Sequence, residues 1–122
     1  MAIVKFANGT EIEYLSVKTE GTEFYNNAQR EVLHFELARD AANLEELDVL
    51  LSNEENLETI KLVEDGEVVN TLSDYLIKMK LAVEPVLVEA ETAEAPARYE
   101  DRIIFKLGML TYMEKQLRKL GL

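Results

Sequence analysis

Residues 98–122 read RYEDRIIFKLGMLTYMEKQLRKLGL, and two readings of them give different molecules. In the first, Ile103, Phe105 and Leu107 alternate with Arg102, Ile104 and Lys106, the period-two pattern of a half-buried strand. Thr111, followed by Glu114, then caps a separate helix from Tyr112 to Leu120. In the second, one long helix starts at Pro96, carries Glu100 and Asp101 in its first turns and Lys115, Arg118 and Lys119 in its last, and stops at Gly121. Its seam would be Ile103, Leu110, Met113, Leu117 and Leu120, interrupted by Lys106. Both readings end in a short helix with an apolar stripe, which is marginal alone in water and must dock on the domain or on another chain. Leu110, Met113, Leu117 and Leu120 are therefore the candidate interaction residues.

Upstream, EAETAEAPA at 89–97 has no β-branched or aromatic residue except Thr92 and reads as an acidic Ala/Pro linker. Before it, residues 1–88 read as an antiparallel β-rich domain. In VKFANGTEIEY a three-residue loop Ala7-Asn8-Gly9 with Gly9 left-handed pairs Val4 with Ile12 and Lys5 with Glu11. That places apolar beside apolar and opposite charges beside each other, which a two-residue Asn-Gly turn would not. REVLHFELA alternates Leu33, Phe35 and Leu37 against Val32, His34 and Glu36. Leu44, Leu47, Leu50 and Leu51 then change to helical spacing, and Asn43 with Glu46 resembles a capping box, so a helix is expected over about 43–52. TIKLVEDGEVVNTL repeats the hairpin pattern around Asp65-Gly66. DYLIKMKLAVEP puts Tyr75, Ile77, Met79, Leu81 and Val83 on one side and Lys78 and Lys80 on the other, with Pro85 expected to end the ladder. The expected string is three strands, a helix and three strands, followed by residues 98–122 as strand plus helix or one long helix. The fold class is α+β, mainly antiparallel sheet with one internal and one C-terminal helix.

The chain has 122 residues, a net charge of −11 from 24 acids against 13 Lys plus Arg, and no cysteine. One domain with a packed core is expected. Nonspecific nucleic-acid binding draws on basic side chains that neutralise phosphate, so direct nucleic-acid binding is disfavoured. Absence of cysteine removes disulfides, thiolate metal sites and cysteine nucleophiles, and suits a reducing compartment. MAIVKFANG lacks the basic and apolar runs of a signal peptide, and no stretch has the apolar length of a membrane helix.

Chemistry-bearing patterns are few. His34 is the only histidine, on a strand face with no paired nucleophile, and one histidine without cysteine is a poor start for a zinc site. Ser52-Asn53 and Ser73-Asp74 read as caps or turns. The runs EELD and NEEN read as a solvated helix face and its exit. VEDGEVV lacks calcium-loop spacing, and no glycine-rich phosphate loop occurs. Met79, Met109 and Met113 with Tyr99 and Tyr112 read as core or a subunit contact. The expectation is a protein without catalytic, cofactor-binding or metal-binding residues.

The segments VKFANGTEIEYLSV, QREVLHFELA followed by NLEELDVLLS, ETIKLVEDGEVV, and PVLVEAETAEAPARYEDRIIFKLGMLTYMEKQL together resemble small structural or accessory proteins from the tail or virion modules of phages and prophages of Gram-positive gut bacteria. The resemblance spans nearly the whole chain and rests on patterns, not on catalytic signatures. It implies a non-catalytic protein that acts through protein–protein contacts in tail or virion assembly. Its partners would be other virion or tail proteins, a homo-oligomer among them, with no cofactor. Its location would be the bacterial cytoplasm during assembly, with the virion as its later place. A different class of reading is an acidic regulatory protein, a DNA mimic or inhibitor that binds a basic enzyme surface. Such a protein should array its carboxylates on one face, and its binding should weaken steeply with salt.

Overall fold

In a computed structural model that describes every residue except Glu20, the chain forms eight antiparallel strands and three helices. The strands are β1 (Ala2–Lys5), β2 (Glu11–Glu13), β3 (Ser16–Tyr25), β4 (Ala28–Ala38), β5 (Ile60–Glu64), β6 (Glu67–Leu72), β7 (Ile77–Glu89) and β8 (Arg98–Gly108). The helices are α1 (Leu44–Ser52), α2 (Glu54–Leu57) and α3 (Tyr112–Lys119). They build two sheets of four strands, ordered β2-β1-β5-β6 and β3-β4-β8-β7. The fold is α+β, as expected.

The local hairpin rules act as expected. β1 and β2 pair Val4 with Ile12 and Lys5 with Glu11, and Gly9 takes φ +91° in the loop between them. β5 and β6 meet at Glu64 and Glu67 around Asp65 and Gly66, both at positive φ, which the right-handed twist of a two-residue hairpin favours. The Asn43 side chain accepts from the Glu46 N–H and starts α1. Asn53 then does the same for α2 by accepting from Glu55, so the expected helix exit is a second, one-turn helix.

The expected string omits β3. Its alternation is broken by a register shift between Thr19 and Thr22, with Gly21 at φ +70°, so no period-two pattern runs through it. The signal for its hairpin is Asn26-Asn27, both left-handed, between Tyr25 and Ala28. The chain changes sheets at Tyr14-Leu15: the Tyr14 N–H donates to Ala2 in the first sheet and the Leu15 N–H to Glu36 in the second.

β7 departs from the expected strand in three ways. Tyr75 precedes it. A bulge at Met79 reverses the alternation, so Lys78 pairs opposite Leu107 on the core side and reaches Asp48 of α1, while Leu81 and Val83 resume opposite Phe105 and Ile103. Pro85 does not end the ladder; it sits opposite Asp101, and pairing runs on to Glu89. β7 is a sheet edge, where proline is tolerated because every second N–H points away from the ladder.

Residues 98–122 form a strand and then a helix. β8 is an inner strand between β4 and β7, with Leu33, Phe35 and Leu37 opposite Leu107, Phe105 and Ile103. Phe35 and Phe105 stack at 4.7 Å between ring centroids, and Phe6 from the first sheet lies 6.5 Å from Phe105. Leu47, Leu51 and Leu57 of the helices and Ile60 of β5 complete the same buried cluster. Both sheets and both internal helices thus share one core. Residues 90–97 form the loop of the β7–β8 hairpin, where Thr92 Oγ1 accepts from the backbone of Glu94 and Ala95.

Gly108 ends β8 for a steric reason. A β-carbon there would stand 2.8 Å from Met79 Sδ and 3.0 Å from Arg30 Cδ. Met79 can swing aside, whereas the Arg30 stem is held at its far end. Gly108→Ala should cost about 1–2 kcal/mol in urea unfolding, and adding Met79→Ala should recover only part of that. A neutral Gly108→Ala would mean that the Arg30 stem is free to move.

Candidate interaction surface

The C-terminal helix is defined at both ends by its own residues. Thr111 Oγ1 accepts from the Glu114 N–H at 3.2 Å and Glu114 Oε1 accepts from the Thr111 N–H at 2.8 Å, a complete capping box. At the other end the Gly121 N–H donates to Arg118 and the Leu122 N–H to Leu117, with Gly121 at φ +77°, the Schellman arrangement.

What holds the helix to the body is polar. Arg30 of β4, 1% exposed, uses all five guanidinium donors. Nε donates to the Tyr25 carbonyl at 2.8 Å, Nη1 to the Met109 carbonyl at 3.1 Å and Nη2 to the Asn26 carbonyl at 3.2 Å. The remaining two donors form a bidentate pair with Glu114, at 2.6 and 2.8 Å. The Arg30 guanidinium holds the Glu114 carboxyl down at about 2, with smaller help from the Thr111 hydrogen bonds against the opposing effect of burial. Arg118 reaches Glu54 of α2 in a second bidentate pair, and Lys115 reaches Asp74 at 3.2 Å. Those two pairs are substantially exposed and each contributes at most about 1 kcal/mol; they orient the helix more than they anchor it.

Glu114 and Arg118 lie on the docked side, so the apolar stripe of α3 points outward. Met113 is 64% exposed, Leu117 40% and Leu120 73%, with Tyr112 and Leu122 beside them, and α3 buries no residue fully. An amphipathic helix on a globular domain ordinarily does the reverse. Of the four candidate interaction residues, the structure brings Met113, Leu117 and Leu120 together on this stripe. Leu110 stands apart: it precedes the helix, is 5% exposed, and its N–H donates to the Asp74 carbonyl. Arg30 was missed. In sequence it is one polar position at the start of an alternating strand, and its partner is 84 residues away.

No known family matches the chain, and comparison with curated proteins and with solved structures finds no match.

A second exposed apolar feature lies at the opposite end of β8. The β7–β8 hairpin runs past the last β4 pair, Ala38 with Arg102, as a two-stranded ribbon. Its charged face is a ladder from Glu36 through Arg102, Glu100 and Arg98 to Glu89, with each step between 2.8 and 3.1 Å. Its other face carries Leu87 directly opposite Tyr99, 50% and 60% exposed.

The remaining candidates are dispersed. His34 is half-buried on the outer face of the second sheet, opposite Lys18 and Lys106. Ser52 receives a long contact from Lys78 at the end of α1, and Asp74 takes a positive φ in the turn before β7. A groove of about 390 Å³ between α1 and the β1–β2 loop has an apolar floor of Ile12, Leu47 and Leu50, and its lining holds no histidine or serine. Among the described residues, no three metal-ligating side chains cluster and no helix is long and apolar enough to cross a membrane.

Proposed function

We propose that the chain is a non-catalytic structural or accessory protein of a phage or prophage, working in tail or virion assembly through protein–protein contacts, and that α3 is its docking surface. The observation that carries the docking reading is the orientation of α3. A helix anchored by a fully satisfied buried arginine, with leucine and methionine turned to solvent, is arranged for a partner that covers them. The resemblance of the chain's segments to small tail and virion proteins supports the phage assignment.

The test uses particles from the bacterium that encodes the chain, purified by density gradient and quantified by mass spectrometry. The chain should band with particles or assembly intermediates. A Met113→Asp, Leu120→Asp variant changes only exposed positions, and should fold normally yet fall at least tenfold in particle occupancy. If the chain is absent from every particle fraction, and its deletion leaves particle yield unchanged, the assembly reading is overturned.

A further inference from the structure

The Leu87–Tyr99 pair and the α3 stripe lie at opposite ends of β8: Tyr99 is at its start and α3 follows its end. From Tyr99 to the end of β8 at Gly108 is roughly 30 Å of strand, so one copy cannot bring its own ribbon to its own helix. Their charges also differ. Residues 84–101 carry Glu84, Glu89, Glu91, Glu94, Glu100 and Asp101 against Arg98. Three of these acids are already paired, Glu84 with Lys80, Glu89 with Arg98 and Glu100 with Arg98 and Arg102, which leaves Glu91, Glu94 and Asp101. Residues 112–122 carry Lys115, Arg118 and Lys119 against Glu114; Asp74, Glu54 and Arg30 already hold Lys115, Arg118 and Glu114, which leaves Lys119. Two helices face to face would bring Lys119 against its copy, and two ribbons would set three acids against three. A ribbon on a helix brings opposite charges around matching apolar centres, and complementary rims of this kind select the partner.

We propose that the β7–β8 ribbon of one copy seats Leu87 and Tyr99 on the Met113, Leu117 and Leu120 stripe of a second copy, head to tail. The inference rests on the reading of α3 as a docking surface and names its partner. A head-to-tail contact leaves one ribbon and one helix unused at the ends, so assembly continues beyond a dimer until a ring closes or a filament grows. The patch is small against the about 800 Å² per partner of a stable interface, so each contact is weak, with a dissociation constant on the order of 10 μM.

Sedimentation of the full chain from about 1 to 500 μM, a range that brackets that constant, should give a mass that rises past dimer. The rise should weaken several-fold between low and about 0.5 M salt. Leu87→Lys with Tyr99→Lys disables the ribbon, and Met113→Asp with Leu120→Asp disables the helix; urea midpoints near wild type establish that both variants fold. Each variant alone should stay monomeric. Their equimolar mixture should form a one-to-one heterodimer and stop, because one competent ribbon and one competent helix remain. A wild-type mass that stops at dimer, or a mixture that stays monomeric, overturns the head-to-tail contact. A monomeric wild type also overturns it, while α3-dependent particle occupancy would leave the docking reading standing with a different partner. Loss of particle occupancy alongside intact self-assembly would separate the two in the other direction.

Discussion

Arg30→Met should destabilise the fold by about 3–5 kcal/mol and release α3 from the body, because it breaks a buried ion pair from one side. Methionine keeps most of the stem that packs against Gly108, so the loss is that of the guanidinium. Three carbonyls, at Tyr25, Asn26 and Met109, lose their donor, and the Glu114 carboxylate loses its counter-charge. The three carbonyls belong to the β3–β4 turn and to the segment after β8, so both should loosen with the helix. Arg30→Lys should recover only a minority of the loss. An ammonium keeps the charge but has three donors and cannot serve four acceptor groups spread around a planar fork. Urea unfolding gives the stability, and amide exchange at residues 112–120 reports docking. A loss below about 1 kcal/mol, with helix protection unchanged, would mean that α3 is held by its exposed pairs.

The second large effect is acid release of the same helix. Glu114 titrates at about 2 in the folded chain, against an ordinary 4.5. A carboxyl depressed by folding contributes stability that is fully present above its ordinary value and is lost as pH falls through its folded value. The window is therefore from about 4.5 down to about 2. Undamped, that shift corresponds to about 3 kcal/mol. Solvent reaches nearly a third of the Glu114 side chain, which reduces the expected contribution to about 2 kcal/mol. Arg118 also lowers the carboxyl of Glu54, so that exposed pair weakens in the same direction. The methyl resonances of Met113, Leu117 and Leu120 should move toward random-coil positions through this window while those of Leu33 and Leu107 hold. Glu114→Gln at neutral pH should reproduce the released helix and remove most of its acid dependence. Helix resonances that stay fixed down to pH 2, or a Glu114→Gln chain with the helix still docked, would count against the Arg30–Glu114 anchor.

Acid and Arg30→Met should therefore act on assembly as well as on stability, since both displace the surface that carries the stripe. That makes them unsuitable as interface variants, which is why the contact itself is better tested at Met113, Leu120, Leu87 and Tyr99, all exposed and outside the anchor.

The sequence by itself determined whatever a few neighbouring residues decide. The β1–β2 register, the Asp65-Gly66 turn, the Asn43 cap and the Thr111–Glu114 capping box each lie within a short local span, where backbone sterics and nearby side-chain oxygens act without help from the rest of the chain. The alternation of β4 likewise named both faces of that strand, whereas residues 98–122 suit strand plus helix or one long helix equally, and only the pairing of β8 with β4 and β7 decides between them. Local pattern failed where the pattern itself is interrupted: the bulges in β3 and at Met79 shift the phase, and a period of two carries no information across a shift. The apolar stripe of α3 was legible, but the direction it faces was not. Only the tertiary structure decided that, by burying Arg30 where β4, the β3–β4 turn and the end of β8 meet. Leaving a buried guanidinium uncompensated costs several kcal/mol, comparable to burying one or two leucine side chains. Glu114 is drawn inward to meet that demand, and Met113, Leu117 and Leu120 are turned out with it.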